Sequence, residues 1–229
     1  MAIVKKYPAE ILAIDHSIDG VYTLTMQSLG KTFKYHAGQF LHLAIDEYDP
    51  SGQWPDSRCF SMQTPPGQNT LKITYAVKGS FTARMRSELK LGSEVTLKLP
   101  YGDLFTRPHN KEHAVFVAGG TGITPFLSLF NDPAFADYLN PVLYAGFRSQ
   151  EANLYGKELA LARDINPGLQ TQIMYDDKEG LLNIADIMQN SHQDASYFIS
   201  GPPKMIHSFR EYLIVNNVPG DRVITDDWE

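Results

Sequence analysis

A glycine-rich segment, Gly119–Gly122, follows five apolar residues and precedes a second apolar run that begins after Pro125. An apolar run bounded by glycines is typical of a strand that is buried on both faces of a parallel sheet. Glycine lets the backbone approach a ligand closely, Thr124 can cap the next helix, and Pro125 suits its first turn. Because free amides at a helix N-terminus attract anions, the segment predicts a dinucleotide pyrophosphate site. It lacks the third glycine of the Rossmann fingerprint, so from this segment alone a simple tight turn stays open.

A second glycine precedes a predicted helix at Gly79-Ser80-Phe81-Thr82, which is also suited to an anion. His109 and His113 have the spacing of a metal-binding helix, but Pro108 and Asn110 disfavour a helix and no third ligand is near. We therefore predict two anion sites and no metal site.

The chain has 229 residues, 43% hydrophobic and 20% charged, which indicates a soluble globular protein of one large or two ordinary domains. It has no stretch long enough for a membrane span and no signal peptide. The single cysteine, Cys59, excludes an internal disulfide and a cluster held by four of its own cysteines. We therefore expect a cytoplasmic protein.

Charge is unevenly distributed along the chain. Residues 1–110 hold 12 Lys and Arg against 10 Asp and Glu, and residues 111–229 hold 8 against 16. The acidic second half disfavours nucleic-acid binding.

Short apolar segments separated by turn residues fill the first half and predict an antiparallel barrel or sandwich with one helix. The predicted strands are Glu10–Ile14, Val21–Gln27, Phe40–Ile45, Arg58–Met62, Leu71–Val77 and Val95–Leu99, and the helix runs from about Thr82 to Leu89.

The second half alternates predicted strands at 114–118, 142–147, 170–175, 196–200 and 222–225 with helices at 125–131, 152–163, 183–189 and 203–215. This alternation predicts a parallel sheet whose ligands bind beyond the C-terminal strand ends, where Gly119–Gly122 and Gly201-Pro202 fall. The polar segment 106–113 separates the halves, so we predict domains at residues 1–108 and 109–229.

Four segments, in order and with matching spacing, resemble the ferredoxin–NADP reductase family of flavin oxidoreductases. They are Arg58–Thr64 (RCFSMQT), Gly79–Thr82 (GSFT), Gly119–Pro125 (GGTGITP) and Ser200–Met205 (SGPPKM). Gly38-Gln39-Phe40 and Pro100–Phe105 also resemble recurring family segments, so the resemblance covers nearly the whole chain. It implies an antiparallel Greek-key β-barrel that binds flavin, followed by an α/β parallel-sheet domain that binds NAD(P)H.

In the first segment, the resemblance implies that Arg58 holds the flavin phosphate, Phe60 packs on the isoalloxazine and Ser61 lies near its N5. Cys59 and Thr64 belong to the same flavin-binding segment. Strand alternation places Arg58 and Phe60 on one face and Ser61 on the other, so convergence requires a slight bend. Judged by residue type alone, Phe60 suits the barrel core and Arg58 the surface.

The resemblance assigns Gly79-Ser80-Phe81-Thr82 to the flavin pyrophosphate, which favours FAD over FMN. Gly120-Thr121-Gly122 and Pro125 would receive the pyrophosphate of the nicotinamide dinucleotide. Gly201-Pro202 and Met205 would flank the nicotinamide.

The chain departs from the family at Ser200 and at the C-terminus. Ser200 stands where the family usually has a cysteine beside the reacting carbon, and its hydroxyl can still donate a hydrogen bond. Trp228 would cover the second face of the flavin, and Asp226 or Asp227 would replace an acidic residue near the nicotinamide. A solvated tail is the alternative. The residues predicted to contact reacting atoms are Ser61, Ser200, Asp226 and Trp228.

Tyr175-Asp176 and Asp177 stand where NADP-selective relatives commonly place Ser-Arg for the 2′-phosphate. Two carboxylates would repel that phosphate, which favours NADH. Arg148, at the end of the second strand, and Lys157 on the next helix could instead bind the phosphate, so NADPH stays open.

The resemblance implies hydride transfer from NAD(P)H to bound FAD, then electron transfer to a carrier protein such as a ferredoxin or an oxygenase component. We expect an acidic carrier to dock at Lys78, Arg84, Arg86 and Lys90. Two alternatives are an NAD(P)H:flavin reductase that uses free flavin as substrate, and a flavin-housing electron-transfer subunit of a larger complex.

Overall fold

The computed structural model describes residues 3–226, the side chain of Ser17 excepted. The chain divides after Asp103 into two compact units, each built on its own sheet. None of the helices within residues 3–226 is long and apolar enough to cross a membrane.

Six antiparallel strands form the sheet of the first unit. They are β1 (Lys5–Ile18), β2 (Val21–Ser28), β3 (Phe40–Ala44), β4 (Ser57–Ser61), β5 (Thr70–Ala76) and β6 (Glu94–Tyr101), in the order β4-β3-β6-β1-β2-β5. β1 begins earlier than predicted because its first half pairs with β6 and its second half with β2. Within that first half, Tyr7 and Ala9 are buried whereas Lys6 and Pro8 are exposed.

The edge strands of this sheet approach each other and nearly close it into a barrel. Gln63 N donates to the Lys72 carbonyl oxygen (2.9 Å), and Lys72 N donates to Thr64 Oγ1 (2.8 Å). Pairing the edges removes backbone groups that would otherwise recruit another strand. Leu24 and Leu41 are fully buried in the core, and each such side chain contributes about 1.5–3 kcal/mol. The predicted antiparallel barrel is confirmed.

One helix, α1 (Ser80–Glu88), lies between β5 and β6 and buries Phe81 and Met85. It begins two residues before the predicted start at Thr82. The reason is that Gly79 is extended and serves as the N-cap residue, so the helix starts directly after the glycine.

Five parallel strands and four α-helices form the described part of the second unit, which confirms the predicted α/β arrangement. The strands are β7 (Ala114–Gly119), β8 (Val142–Phe147), β9 (Gln170–Tyr175), β10 (Ser196–Ser200) and β11 (Val223–Thr225), in the order β11-β10-β7-β8-β9. The helices are α2 (Thr124–Phe130), α3 (Gly156–Ile165), α4 (Ile184–Gln189) and α5 (Pro203–Val215).

The central strand of this sheet is β7, which is buried on both faces as predicted. On one face, the Phe116 ring stacks on Phe198 (5.1 Å between centroids) and meets Phe130 edge-on (4.9 Å). On the other face, Val117 packs in a cluster with Ile199. This packing fixes the glycine segment at the C-terminal edge of the sheet.

The start of α2 differs from the prediction. Gly120–Ile123 forms a 3₁₀ turn, and Thr124 is already helical, so the prediction that Thr124 caps the helix is wrong. Its Oγ1 donates to the Thr121 carbonyl oxygen (2.9 Å) instead. Pro125 lies in the first turn, where its missing N–H costs no hydrogen bond.

Candidate functional sites

Arg58, near the start of β4, reaches the first turn of α1. Its guanidinium donates to Asp56 Oδ1 and to the Ser57 carbonyl oxygen, both at 2.7 Å. Its Cζ lies 5.1 Å from the centroid of the Phe81 ring, within the range of a cation–π contact. The side chain is 50% exposed, so part of the guanidinium faces solvent. Two segments that are separate in the sequence, RCFSMQT and GSFT, therefore meet in space.

The first turn of α1 offers backbone amides at the same place. Thr82 Oγ1 accepts hydrogen bonds from Lys78 N (3.0 Å) and Gly79 N (3.2 Å). The first intrahelical hydrogen bond runs from Ala83 N to the Gly79 carbonyl oxygen (2.9 Å), so the three preceding amides have no acceptor within the helix. A guanidinium and the positive end of a helix thus converge, and together they suit a diphosphate.

Phe60 and Ser61, at the end of β4, are both 9% exposed. The Phe60 ring lies 6.0 Å from Tyr75, whose ring stacks on Tyr22 at 5.5 Å. Burial raises the pKa of Tyr75 to about 12, so its phenol is neutral at physiological pH. Phe60 therefore packs mainly in the barrel core, and its contact with a flavin ring and that of Ser61 with N5 stay predictions.

Cys59 and Thr64 contact neighbouring strands. Cys59 Sγ lies 3.5 Å from Nε2 of His42 on β3. Thr64 accepts from Lys72 N through its side chain, and its carbonyl oxygen accepts from Tyr35 OH (2.9 Å). These contacts hold the strand that carries Arg58, and a direct contact of either residue with flavin stays a prediction.

A buried amide that sequence reasoning gave no role, Gln39, joins two loops of the first unit. Its Nε2 donates to the Gly102 carbonyl oxygen and its Oε1 accepts from His36 N, both at 2.7 Å. Gly102 has φ of 83°, and a Cβ there would lie 3.0 Å from Phe40 Cδ1. A polar residue directly before the apolar residues of β3 is the sequence feature that could have indicated a structural role for Gln39.

In the second unit, the glycine segments after β7 and β10 interlock. A Cβ on Gly122 would lie 2.5 Å from the Ser200 carbonyl oxygen and from Gly201 Cα. A Cβ on Gly119 would lie 2.7 Å from Pro202 Cδ and 3.0 Å from Met205 Sδ. The predicted segments GGTGITP and SGPPKM therefore meet, backbone against backbone.

Gly120 differs from its two glycine neighbours. Its φ is 55°, and a Cβ there would have no described heavy atom within 4 Å. The 3₁₀ turn that it begins carries Thr121 and Gly122 to the start of α2, where Pro125 lies in the first turn. Space for a ligand therefore exists at Gly120, whereas the other two glycines are required by packing.

Ser200 and Asp226, both predicted to lie near the nicotinamide, are in direct contact. Ser200 is 3% exposed, and its Oγ donates to Asp226 Oδ2 at 3.2 Å. Asp226 N donates to the Ile199 carbonyl oxygen (2.9 Å), which continues the pairing of β11 with β10. Asp227 and Trp228 lie outside the described residues, and Ser61 lies in the first unit.

Arg148 and the two aspartates lie side by side at the C-terminal edge of the parallel sheet. Asp176 N donates to the Phe147 carbonyl oxygen (2.8 Å), and Asp177 N donates to that of Arg148 (3.3 Å). Asp176 Oδ1 lies 4.0 Å from where a Cβ on Gly146 would be, so its carboxylate stands over the end of β8. An arginine and two aspartates are thus adjacent along the backbone at the position predicted to select between NADH and NADPH.

The histidines considered for a metal have other partners. Both nitrogens of His109 are within hydrogen-bond distance of groups in its own unit, Nδ1 of the Arg107 carbonyl oxygen (2.7 Å) and Nε2 of Tyr138 OH (2.6 Å). His113 stacks on His192, with 3.8 Å between ring centroids. Within residues 3–226, no group of three or more His, Cys, Asp or Glu is arranged to hold a metal ion.

The sequence of this chain is similar to those of known oxidoreductase components. Residues 116–211 match the family described as oxidoreductase NAD-binding domain. Methane monooxygenase component C of Methylosinus trichosporium is 29% identical over 185 residues, which cover 78% of this chain and 53% of that protein. The propane 2-monooxygenase reductase component of Mycolicibacterium goodii is 25% identical over 240 residues, which cover 96% of this chain and 66% of that protein. The chain thus spans about half to two thirds of the length of these relatives.

A solved structure extends the likeness to the fold. A ferredoxin–NADP reductase from Neisseria gonorrhoeae with bound FAD and NADP matches with a TM-score of 0.77 at 20% identity, covering 93% of this chain and 92% of that chain. At that identity the likeness establishes the fold alone, an antiparallel barrel followed by a parallel α/β sheet.

Proposed function

We propose that this chain, whose resemblance to the ferredoxin–NADP reductase family is confirmed, is a flavoprotein oxidoreductase that passes electrons from NADH through bound FAD to a carrier protein. The observation that carries the proposal is the convergence of Arg58 with the first turn of α1, two features that bind diphosphates. We assign the flavin to the first unit, the domain predicted at residues 1–108, and the dinucleotide to the second unit, the domain predicted at residues 109–229.

In the barrel, the FAD diphosphate would be held by Arg58 and by the amides of the GSFT segment. The exposed part of the Arg58 guanidinium supplies charge, and the helix start supplies N–H donors. Phe60 would border the flavin ring and Ser61 would donate a hydrogen bond to its edge. FAD, when bound, accepts a hydride and releases electrons one at a time, which is the chemistry that joins a nicotinamide donor to a one-electron acceptor.

In the α/β unit, the dinucleotide pyrophosphate would lie over Gly120, where space is open. The Ser200 hydroxyl donates a hydrogen bond to Asp226, so its oxygen can still accept a hydrogen bond from an amide N–H. A nicotinamide carboxamide carries such an N–H. Ser200 and Asp226 would therefore orient the nicotinamide rather than react with it.

The acceptor that we propose is a ferredoxin-like carrier or an oxygenase component. Support comes from the relatives, which are named as components of methane and propane monooxygenases. With one cysteine in its sequence, this chain cannot ligate a four-cysteine cluster, so single electrons would pass to the cofactor of a partner. We also propose a cytoplasmic location, which suits a chain whose one cysteine cannot form an internal disulfide.

We propose NADH as the preferred donor because the carboxylate of Asp176 stands over the end of β8. A 2′-phosphate at that edge would meet this charge, and charges a few ångströms apart at a protein surface interact by about 1 kcal/mol. Arg148 lies at the same edge, and its positive charge would attract the 2′-phosphate. The quantity to measure is therefore the preference of the protein for NADH over NADPH.

The Asp176→Asn variant is expected to narrow the preference for NADH over NADPH by about fivefold, as loss of about 1 kcal/mol of repulsion implies. The measurement is kcat/KM for each dinucleotide with the FAD-loaded protein and ferricyanide as acceptor. Asp177→Asn, at the exposed neighbouring position, is the matched control and should change the ratio less.

Two outcomes of this measurement would count against the proposal. A wild-type preference for NADPH that is lost in Arg148→Ala would place the phosphate at Arg148. Absence of ferricyanide reduction with either dinucleotide would contradict the proposed oxidoreductase activity itself.

A further inference from the structure

An open groove on the outer face of the barrel is lined by four lysines. It has a volume of about 540 Å³ and lies along β1 and β6. Lys5, Lys6, Lys31 and Lys98 form its charged walls, and Val4 is among its apolar residues. We call these four lysines and their enclosed space the lysine groove.

The lysines of the lysine groove differ from Arg84 of α1 in their ion-pair partners. None of the four lysines forms an ion pair with a carboxylate in the part of the chain that the structure describes. Arg84 of α1, in contrast, is held by Asp46 (2.7 Å) and Glu88 (2.9 Å). The positive charge of Arg84, at the centre of the docking cluster predicted from the sequence, is therefore partly neutralised.

Two aromatic residues of the loop between β3 and β4 stand beside the groove. Lys6 Nζ lies 4.0 Å from the ring centroid of Tyr48, and it lies 5.9 Å from that of Trp54. Lys98 Nζ lies 5.5 Å from the Trp54 ring. Trp54 Nε1 donates to Ser57 Oγ (2.9 Å), which orients the ring. Tyr and Trp are enriched at protein interfaces, so these two rings could supply contact area to a partner protein.

The groove lies close to the residues proposed to meet the flavin. Lys98 is on β6, which is separated from β4 by β3 alone. Neighbouring strands are about 4.8 Å apart, so β6 lies about 10 Å from the strand that ends in Ser61. At the end of β6, Tyr101 stacks on Phe40, which is the residue paired with Ser61.

We propose that the lysine groove, with Tyr48 and Trp54, is the docking surface for an acidic electron-carrier protein. This inference rests on the proposed function. Charge complementarity favours such a partner, since lysines that form no ion pair with a described carboxylate can steer an acidic protein towards the surface, and the aromatic rings supply contact area. An extended polyanion such as nucleic acid is disfavoured because the whole chain has a formal net charge of −6.

The test measures the affinity of the FAD-loaded protein for a small acidic [2Fe–2S] ferredoxin of the plant type at low ionic strength. Two double variants are each expected to weaken binding about tenfold: one carries Lys6→Glu and Lys98→Glu, and the other carries Lys5→Glu and Lys31→Glu. Arg86→Glu with Lys90→Glu, near α1, is the matched control and should leave binding unchanged. The effect should shrink at 0.15 M salt, where the screening length falls to about 8 Å. Ferricyanide reduction by NADH should be the same in all these proteins.

Each contrary outcome identifies what has failed. The docking proposal would be wrong if the groove variants bound ferredoxin as tightly as the wild type, or if the Arg86→Glu, Lys90→Glu variant lost more affinity than they did. Retained ferricyanide activity in these proteins would still support the proposed function. Equal affinity of the wild type for basic cytochrome c would overturn the requirement for an acidic partner. Binding to phosphatidylserine vesicles that is lost in the first groove variant would assign the lysines to a membrane surface and overturn the proposal. Absence of ferricyanide reduction by the wild-type protein would contradict the proposed function itself.

Discussion

Gly122→Ala is expected to lower the free energy of unfolding by about 3 kcal/mol, the upper part of the range for overpacking a close-packed site. Its Cβ would lie 2.5 Å from the Ser200 carbonyl oxygen and from Gly201 Cα, and backbone atoms cannot rotate away. β7 and β10 are paired neighbours, so relief of the clash requires their C-terminal ends to separate. Urea unfolding followed by circular dichroism measures the change.

Gly120→Ala is the matched control for that variant. A Cβ at this position would meet no described atom within 4 Å, although φ is 55°. The left-handed conformation costs a residue with a side chain about 1–2 kcal/mol, so we expect the smaller loss of stability here. NADH binding should weaken, because the new methyl group would occupy the space proposed for the pyrophosphate. A Gly122→Ala protein as stable as the wild type would contradict the interlocked packing.

Arg58→Ala is expected to weaken FAD binding by about 10- to 100-fold. A hydrogen bond to a charged group contributes about 1.5–3 kcal/mol, and about 1.4 kcal/mol corresponds to a factor of ten. The variant also removes the cation that stacks on Phe81 beside the α1 amides. Titration of FAD into the flavin-free protein, followed by quenching of flavin fluorescence, measures the dissociation constant.

Riboflavin, which has no phosphate, separates a lost phosphate contact from a general disturbance of the site. Its affinity should be the same for Arg58→Ala and for the wild type. Arg86→Ala, at an exposed position on α1, provides the control for loss of a positive charge and should leave FAD affinity unchanged. Equal losses of FAD and riboflavin affinity in Arg58→Ala would contradict the assignment of Arg58 to the diphosphate.

The parts of the fold with the clearest sequence pattern could be predicted. Val115–Ala118 form a continuous apolar run because β7 is covered on both faces, and such a run bounded by glycines is typical of a central strand in a parallel sheet. The first half of β1 could not be predicted in the same way. The predicted strand begins at Glu10, although Tyr7 and Ala9 before it alternate into the core. Its pairing with β6 depends on a strand that is distant in the sequence.

The candidate sites show the same division between local pattern and long-range contact. A glycine has no side chain whether a ligand or another backbone approaches it, so sequence alone could not separate Gly120 from Gly122. The approach of Arg58 to Phe81 depends on the closure of the barrel, which brings the end of β5 beside β4. The lysine groove was missed for a related reason, since its lysines come from three separate segments.

Anaerobic titration of the FAD-loaded protein with NADH tests the central claim most directly. The claim is that one chain holds both cofactors so that a hydride passes between them. We predict that the visible flavin band bleaches with about one equivalent of NADH, and that bleaching by NADPH is slower. A flavin that binds tightly but stays oxidised in excess NADH and in excess NADPH would contradict the claim.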